Sequence, residues 1–290
     1  MPKEAQKAYF ALQAFNVEVA SIKDGSARLR GGAENSYLAL QMKFQRWRDV
    51  IHSAYDDSSS SSNSSTTPAD TADPVACGLI RAIHDKELTR RFLERLIESR
   101  EADVESAQSN TVQDITRYAE ESVSSRLYLT LECMGVRDDA ADVVASHAGV
   151  GIGVLTNLRA APYRVAMGEI PVPVELLPPS FPYGMLQDLV EEPDTAWPSD
   201  RDEQDWKDAV QQMAMVASGH LNKAQRLQGQ IPKKGRACLL PMVPAMQYLT
   251  KLEAQPVDFD VFHPELRTGD KWDKVRGLLY LGRSWLTGVY

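Results

Sequence analysis

The chain has 290 residues, 43% of them hydrophobic and 25% charged, with a formal net charge of -8. That is enough apolar material for a large core, and it lacks the basic balance of a general nucleic-acid binder. Cys77, Cys133 and Cys238 are odd in number, widely spaced and without a CxxC pair, which predicts reduced, mostly buried thiols rather than a disulfide framework. No apolar run approaches the roughly 18 residues of a membrane-spanning helix.

Taken in chain order, the first two dozen residues carry Glu4 and Glu18 and read as a folded helix, not as an acid-poor, arginine-rich transit peptide. Phe10, Ala14, Val17 and Ile22 fall near one helical stripe; Leu38, Met42, Phe44, Trp47 and Ile51 form a second. Residues 57–73 are Ser-rich and without apolar anchors, which predicts a disordered insertion. Pro74 opens a helix running to His84, and another spans Thr89 to Arg100, with Leu79 and Ile83 on the first apolar face and Phe92, Leu93, Leu96 and Ile97 on the second. Two long helices follow, Thr111 to Met134 and Asp139 to Ala161, joined at Gly135. Pro162, Pro171, Pro173, Pro178, Pro179 and Pro182 predict an extended connector. Helices resume at 202–227, 236–253 and 271–290. Strand-like alternation is almost absent, so the fold class is all-α.

The segment YAEESVSSRLYLTLECMGV from Tyr118, with ASHAGVGIGVLTNLRAAPYR ending at Arg164, resembles the second signature region of the squalene/phytoene synthase family. Members of that family join prenyl diphosphates head to head, using magnesium ions held by aspartates. Thr156, Asn157, Leu158 and Arg159 keep the frame of that motif. Ala160 stands where the first aspartate would be, and the downstream acid falls at or beside Arg164. Alanine cannot ligate a hard cation and arginine repels one. On the other side, AFNVEVASIKD (14–24) is similar to the family's first aspartate-bearing helix. The paired acids there fall at about Ala20 and Ser21, leaving Asp24; Glu18 lies on a largely different face. Transferred residue by residue, the resemblance assigns no catalytic residue, no metal ligand and no cofactor.

What it leaves is a degenerate cavity mouth with six candidate ligand-binding residues: Glu18, Asp24, Asn157, Arg159, Tyr163 and Arg164. Arginine forks suit phosphate oxygens, which gives an anion-binding rim. A solvated helix end whose cations complement the dipole explains Arg159 and Arg164 equally well. Two further motifs carry less. Asp138-Asp139-Ala140-Ala141-Asp142 spells DDxxD but opens the helix that ends near Arg159, about 25 Å of helix away from the mouth; acids there cap free N–H groups. His147 to Gly153 has glycines at the wrong spacing for a dinucleotide loop and no strand before it. It predicts a tightly packed central helix, with His147 at the core or its rim and no ligand partner at i+4.

The stretches QMKFQRWRDVI (41–51), LRAAPY (158–163), VDFDVFHP (257–264) and the tail GLLYLGRSWLTGVY (277–290) are similar to a subgroup of this family that serves the assembly of mitochondrial respiratory complex I. The resemblance implies one isoprenoid-synthase-like helical bundle, 1–290, around a central cavity. It further implies a non-catalytic role, complex I subunits or assembly intermediates as partners, and peripheral contact with the matrix side of the inner mitochondrial membrane, with room for a lipid in the cavity. Two alternatives stand beside it: a prenyl transferase with a rearranged acid set such as Asp24, Glu120 and Glu121, and a lipid or isoprenoid carrier. The surfaces around residues 88–100 and around Phe259, Phe262 and His263 read either as partner contacts or as packing anchors.

Overall fold

The computed structural model describes residues 3–27, 33–56, 73–192, 195–267 and 277–284. Helices dominate, and four of them start on a short polar side chain. Asp73 accepts hydrogen bonds from the Val75 and Ala76 N–H groups and is followed by Pro74 at the first helical position, where the missing N–H costs nothing. Thr111 and Asp114 form a reciprocal capping box, Asp138 caps Ala140 and Ala141, and Ser199 caps Asp202. Each satisfies N–H groups that have no partner inside the first turn. The DDxxD spelling is therefore a helix start.

The helices are α1 (Lys3–Ala27), α2 (Ala33–Asp56), α3 (Pro74–Lys86), α4 (Arg90–Glu105), α5 (Val112–Ala119), α6 (Ser125–Cys133), α7 (Asp139–Arg159), α8 (Ala161–Ala166), α9 (Met185–Glu191), α10 (Asp200–Leu227), α11 (Met242–Glu253) and α12 (Pro264–Arg267), with α13 at 277–284. A π turn, Glu120–Ser124, joins α5 to α6, so the long helix expected from Thr111 is continuous but underwound at its centre. The other β-type contact that helices leave room for is slight: among the described residues it is one isolated bridge, Gln108 to Ile170.

Two apolar cores meet at α6. Leu129 and Cys133 belong to the core of α1 to α4, whereas Leu127, Tyr128 and Leu131 face the core built by α5 and by α7 to α11. Helix α7, buried along most of its length, is the central post of the second core, with α10 packed beside it. Phe181 and Phe262 stack on Trp206, centroids 5.9 and 5.6 Å away. Phe262 is thus a packing anchor and not a partner contact, and Leu88, Leu93, Leu96 and Ile97 are fully buried as well.

Several expectations change. The core face of α1 is Leu12, Phe15, Val19 and Ile22, and that of α2 is Leu40, Phe44, Trp47 and Ile51; Phe10, Val17, Leu38 and Met42 point outward, each more than half exposed. Both helices carry apolar residues on two faces, and the edge-to-face contact of Phe15 with Trp47, centroids 5.1 Å apart, selects which face goes inside. Pro162 does not end helical structure but sits in the first turn of α8. The helix read over 236–253 is interrupted: a 3-10 turn, Arg236–Leu239, precedes Pro241, and α11 starts after it. The Ser-rich insertion, but for Asp73, lies outside the described residues, as does the 271–290 helix apart from 277–284.

Candidate functional site: an arginine-lined cavity

The site begins with a close approach of two backbones. A Cβ on Gly149 would lie 2.5 Å from the Ser124 Cα, and one on Gly153 would lie 2.5 Å from the Ala119 Cβ. Only glycine lets α7 press this tightly on the π turn, and Ser124 Oγ donates to the Ser146 carbonyl at 3.0 Å across the contact. The glycine-rich run is a packing surface, as expected. Tyr118, Ser122 and Arg126, spaced four residues apart on one helical face, line the space that opens between α4, α7 and α11.

That space is a cavity of about 360 Å³ lined by four arginines, Arg100, Arg126, Arg159 and Arg164, and, among the described residues, by no aspartate or glutamate. The arginines are not equivalent. Arg164 Nη2 lies 3.3 Å from Asp103 and 3.1 Å from Glu169. Lys23 Nζ reaches the same two carboxylates at 2.7 and 3.0 Å. These four charges form a closed lattice joining α1, α4 and the turn after α8. Arg100 Nη2 donates to Asn16 Oδ1 at 2.8 Å, and its Nε is buried without a hydrogen-bond partner. Neither Arg126 nor Arg159 has a side-chain hydrogen bond or ion pair among the described residues. Burial, and next the Arg100 charge, pull the Arg126 pKa down, against a smaller opposite effect of Tyr9. Burial raises that of the Tyr118 phenol, helped by Asp103. A second cavity of about 260 Å³ lies behind Tyr118, Asn157 and Arg164 and holds Asp103, Asp114 and Glu121.

Of the six expected residues, Asn157, Arg159 and Arg164 come together in the larger cavity. Asn157 donates to the Pro171 carbonyl at 2.7 Å, so it positions the loop after α8. Arg164 is neutralised by its lattice, which removes it from an anion-binding rim. Arg159 is exposed at the end of α7 and fits both readings given for it. Tyr163 is 53% exposed and, like exposed Glu18, is not part of the cavity wall. Asp24 falls in α1, with its side chain outside the described residues. The alternative acid set does not converge either: Glu120 accepts from the hydroxyls of Tyr128 and Ser146, whereas Glu121 lines the second cavity. Sequence reasoning missed Arg100 and Arg126. The polar stripe Tyr118-Ser122-Arg126 on an otherwise apolar rod was the available signal.

Magnesium clusters that activate a diphosphate need several carboxylate oxygens on one cavity wall. The described residues lining this cavity do not fit such a cluster, and among the described residues no three His, Cys, Asp or Glu side chains gather as a metal-binding group. Where a metal would bridge the two sides of the mouth, Lys23 and Arg164 are tied together through Asp103 and Glu169.

The squalene/phytoene synthase family profile matches residues 1–276. NADH dehydrogenase (ubiquinone) complex I, assembly factor 6, of Bos taurus is 33% identical over 92% of this chain and 71% of its own length. The same protein of Homo sapiens is 31% identical over the same shares, and the Drosophila melanogaster homolog is 30% identical over 87% of this chain and 69% of its own. Among solved structures, squalene synthase HpnC from Alicyclobacillus acidocaldarius superposes with a TM-score of 0.67 at 16% identity, covering 91% of this chain and 87% of that one. A dehydrosqualene synthase in complex with ligand gives a TM-score of 0.67 at 16% identity, over 99% and 89%. At that identity the two structures speak to the fold alone.

Proposed function

The chain belongs to the squalene/phytoene synthase family, and from that premise we propose that it is a non-catalytic assembly factor for mitochondrial respiratory complex I. The observation that carries the non-catalytic part is the cavity wall, whose described residues include four arginines and no carboxylate. Prenyl transfer depends on stabilising a departing diphosphate, and positioned metal ions supply most of that. Replacing Asp by Ala160 removes that stabilisation and leaves the helices and their packing intact. The relatives named as complex I assembly factor 6, which this chain matches over about nine-tenths of its length, supply the process.

On this reading the whole chain acts as one domain, its two cores sharing α6, and works in mitochondria on the matrix side of the inner membrane. Contact with that membrane is peripheral; no helix among the described residues is long and apolar enough to cross one. Its partners are complex I subunits or their assembly intermediates. The test of the non-catalytic part is diphosphate release from prenyl diphosphates by the purified chain in magnesium or manganese. The expected rate is that of the buffer alone. Metal-dependent turnover that disappears in EDTA contradicts the proposal.

A further inference from the structure

The protein carries a net charge of -8, yet four arginines line one cavity. Three of the four cavity arginines, Arg100, Arg126 and Arg159, have no carboxylate partner among the described residues, and none of the described lining residues is an aspartate or glutamate. Arg100 and Arg126 sit close enough that each opposes the other's charge. Buried cations without counter-charge are costly, and proteins keep them paired or bound to something. A structural role accounts for Arg164, which holds a lattice, and partly for Arg100, which holds Asn16. It does not account for Arg126, which holds nothing.

We propose that the cavity binds a phosphate-bearing ligand without a divalent cation, its anionic group held between Arg126 and Arg100, with Arg159 at the entrance. Guanidinium forks match phosphate oxygens in shape and cannot lose their charge. Val123, Ile152, Leu155 and Pro244 form an apolar wall beside them, against which a short hydrocarbon chain packs. A cavity of about 360 Å³ suits a small ligand and is at the low end of the usual range for such pockets. The anionic group comes either from a free phosphate or diphosphate, or from a headgroup carrying an apolar chain. The inference rests on the reading of the cavity as metal-free.

The test is titration calorimetry of the full chain with inorganic pyrophosphate and, separately, octyl phosphate, each in EDTA and in magnesium. Saturable binding of either probe in EDTA is expected; pyrophosphate binding identifies a free anion, and binding of octyl phosphate alone identifies a headgroup with its chain. Arg126→Met is expected to weaken binding at least about tenfold, with Arg100→Met reading the same site should that variant not fold. Arg201→Met, which removes an 85% exposed arginine side chain, is expected to bind like the parent. Ligand-free Arg126→Met is also expected to melt no lower than the parent, because it loses an unpaired buried charge. Absence of binding in both buffers, or unchanged binding in Arg126→Met and Arg100→Met, overturns the inference while leaving the non-catalytic reading in place. Binding that requires magnesium overturns both.

Discussion

Asp103 faces two cations at once, Lys23 from α1 and Arg164 from α8, and Glu169 closes the square opposite it. All four side chains are about one-fifth exposed, so water screens them only in part. Asp103→Asn keeps the shape but leaves Lys23 and Arg164 facing one carboxylate. The expected loss is about 2 kcal/mol, read from the urea midpoint, and a change of less than about a quarter of that contradicts the bridging role given to the lattice. A second residue-scale prediction concerns the histidine pair. His147 Nδ1 lies 3.1 Å from His220 Nδ1, which requires one ring to donate and the other to accept. Burial first, then Lys223, lowers both pKa values, and for His147 the His220 charge adds to this; Glu120 opposes. The unfolded chain, with imidazoles near pH 6.5, therefore takes up protons first as pH falls. This contribution to stability is complete above about pH 7 and is lost as pH drops below the unfolded value toward 5. His220→Gln is expected to flatten that slope in unfolding measurements between those limits; an unchanged slope assigns it elsewhere. At this scale the missing acids were legible, because Ala160 is a substitution in a frame. The partners of Arg164 were not, since Asp103 lies about 60 residues away and no spacing rule connects them.

Helix α7 shows what an element contributes beyond its residues. Alanine favours a helix over glycine by about 1 kcal/mol, so propensity alone makes Gly149→Ala stabilising. The structure gives the opposite sign: the new Cβ would meet Ser124 Oγ at 2.2 Å and the Ser124 N at 2.6 Å. Backbone cannot swing aside as a side chain can, and overpacking of this kind costs about 1–3 kcal/mol or more. Gly149→Ala is expected to lower the melting temperature, and Gly184→Ala, with nothing within 4 Å of the added carbon, is not. Equal melting of Gly149→Ala and the parent contradicts the close approach that opens the cavity. Most helices were legible from periodicity and caps, and tight packing of α7 from its small residues. The outward turn of Phe10 and Met42 was not, because a helix with two apolar faces leaves the choice to its neighbours. The π turn was hidden for a similar reason: Glu120 to Ser124 has ordinary helical composition, and the underwinding accompanies contact with α7.

Across the whole molecule, the fold of the squalene/phytoene synthase family is kept and encloses an arginine-lined cavity. The helical frame is that of a squalene synthase and a dehydrosqualene synthase of known structure, and in this chain four arginines line a cavity within it. Loss of chemistry with retention of fold is what the sequence predicts when motif frames persist without their carboxylates. The proposed role in complex I assembly without metal chemistry is checked by native gels of respiratory complexes from cells lacking this gene, re-expressing either the parent or Asp24→Ala. Selective loss of complex I, restored equally by both, is the predicted result; normal complex I in the deleted cells, or rescue by the parent alone, would contradict it.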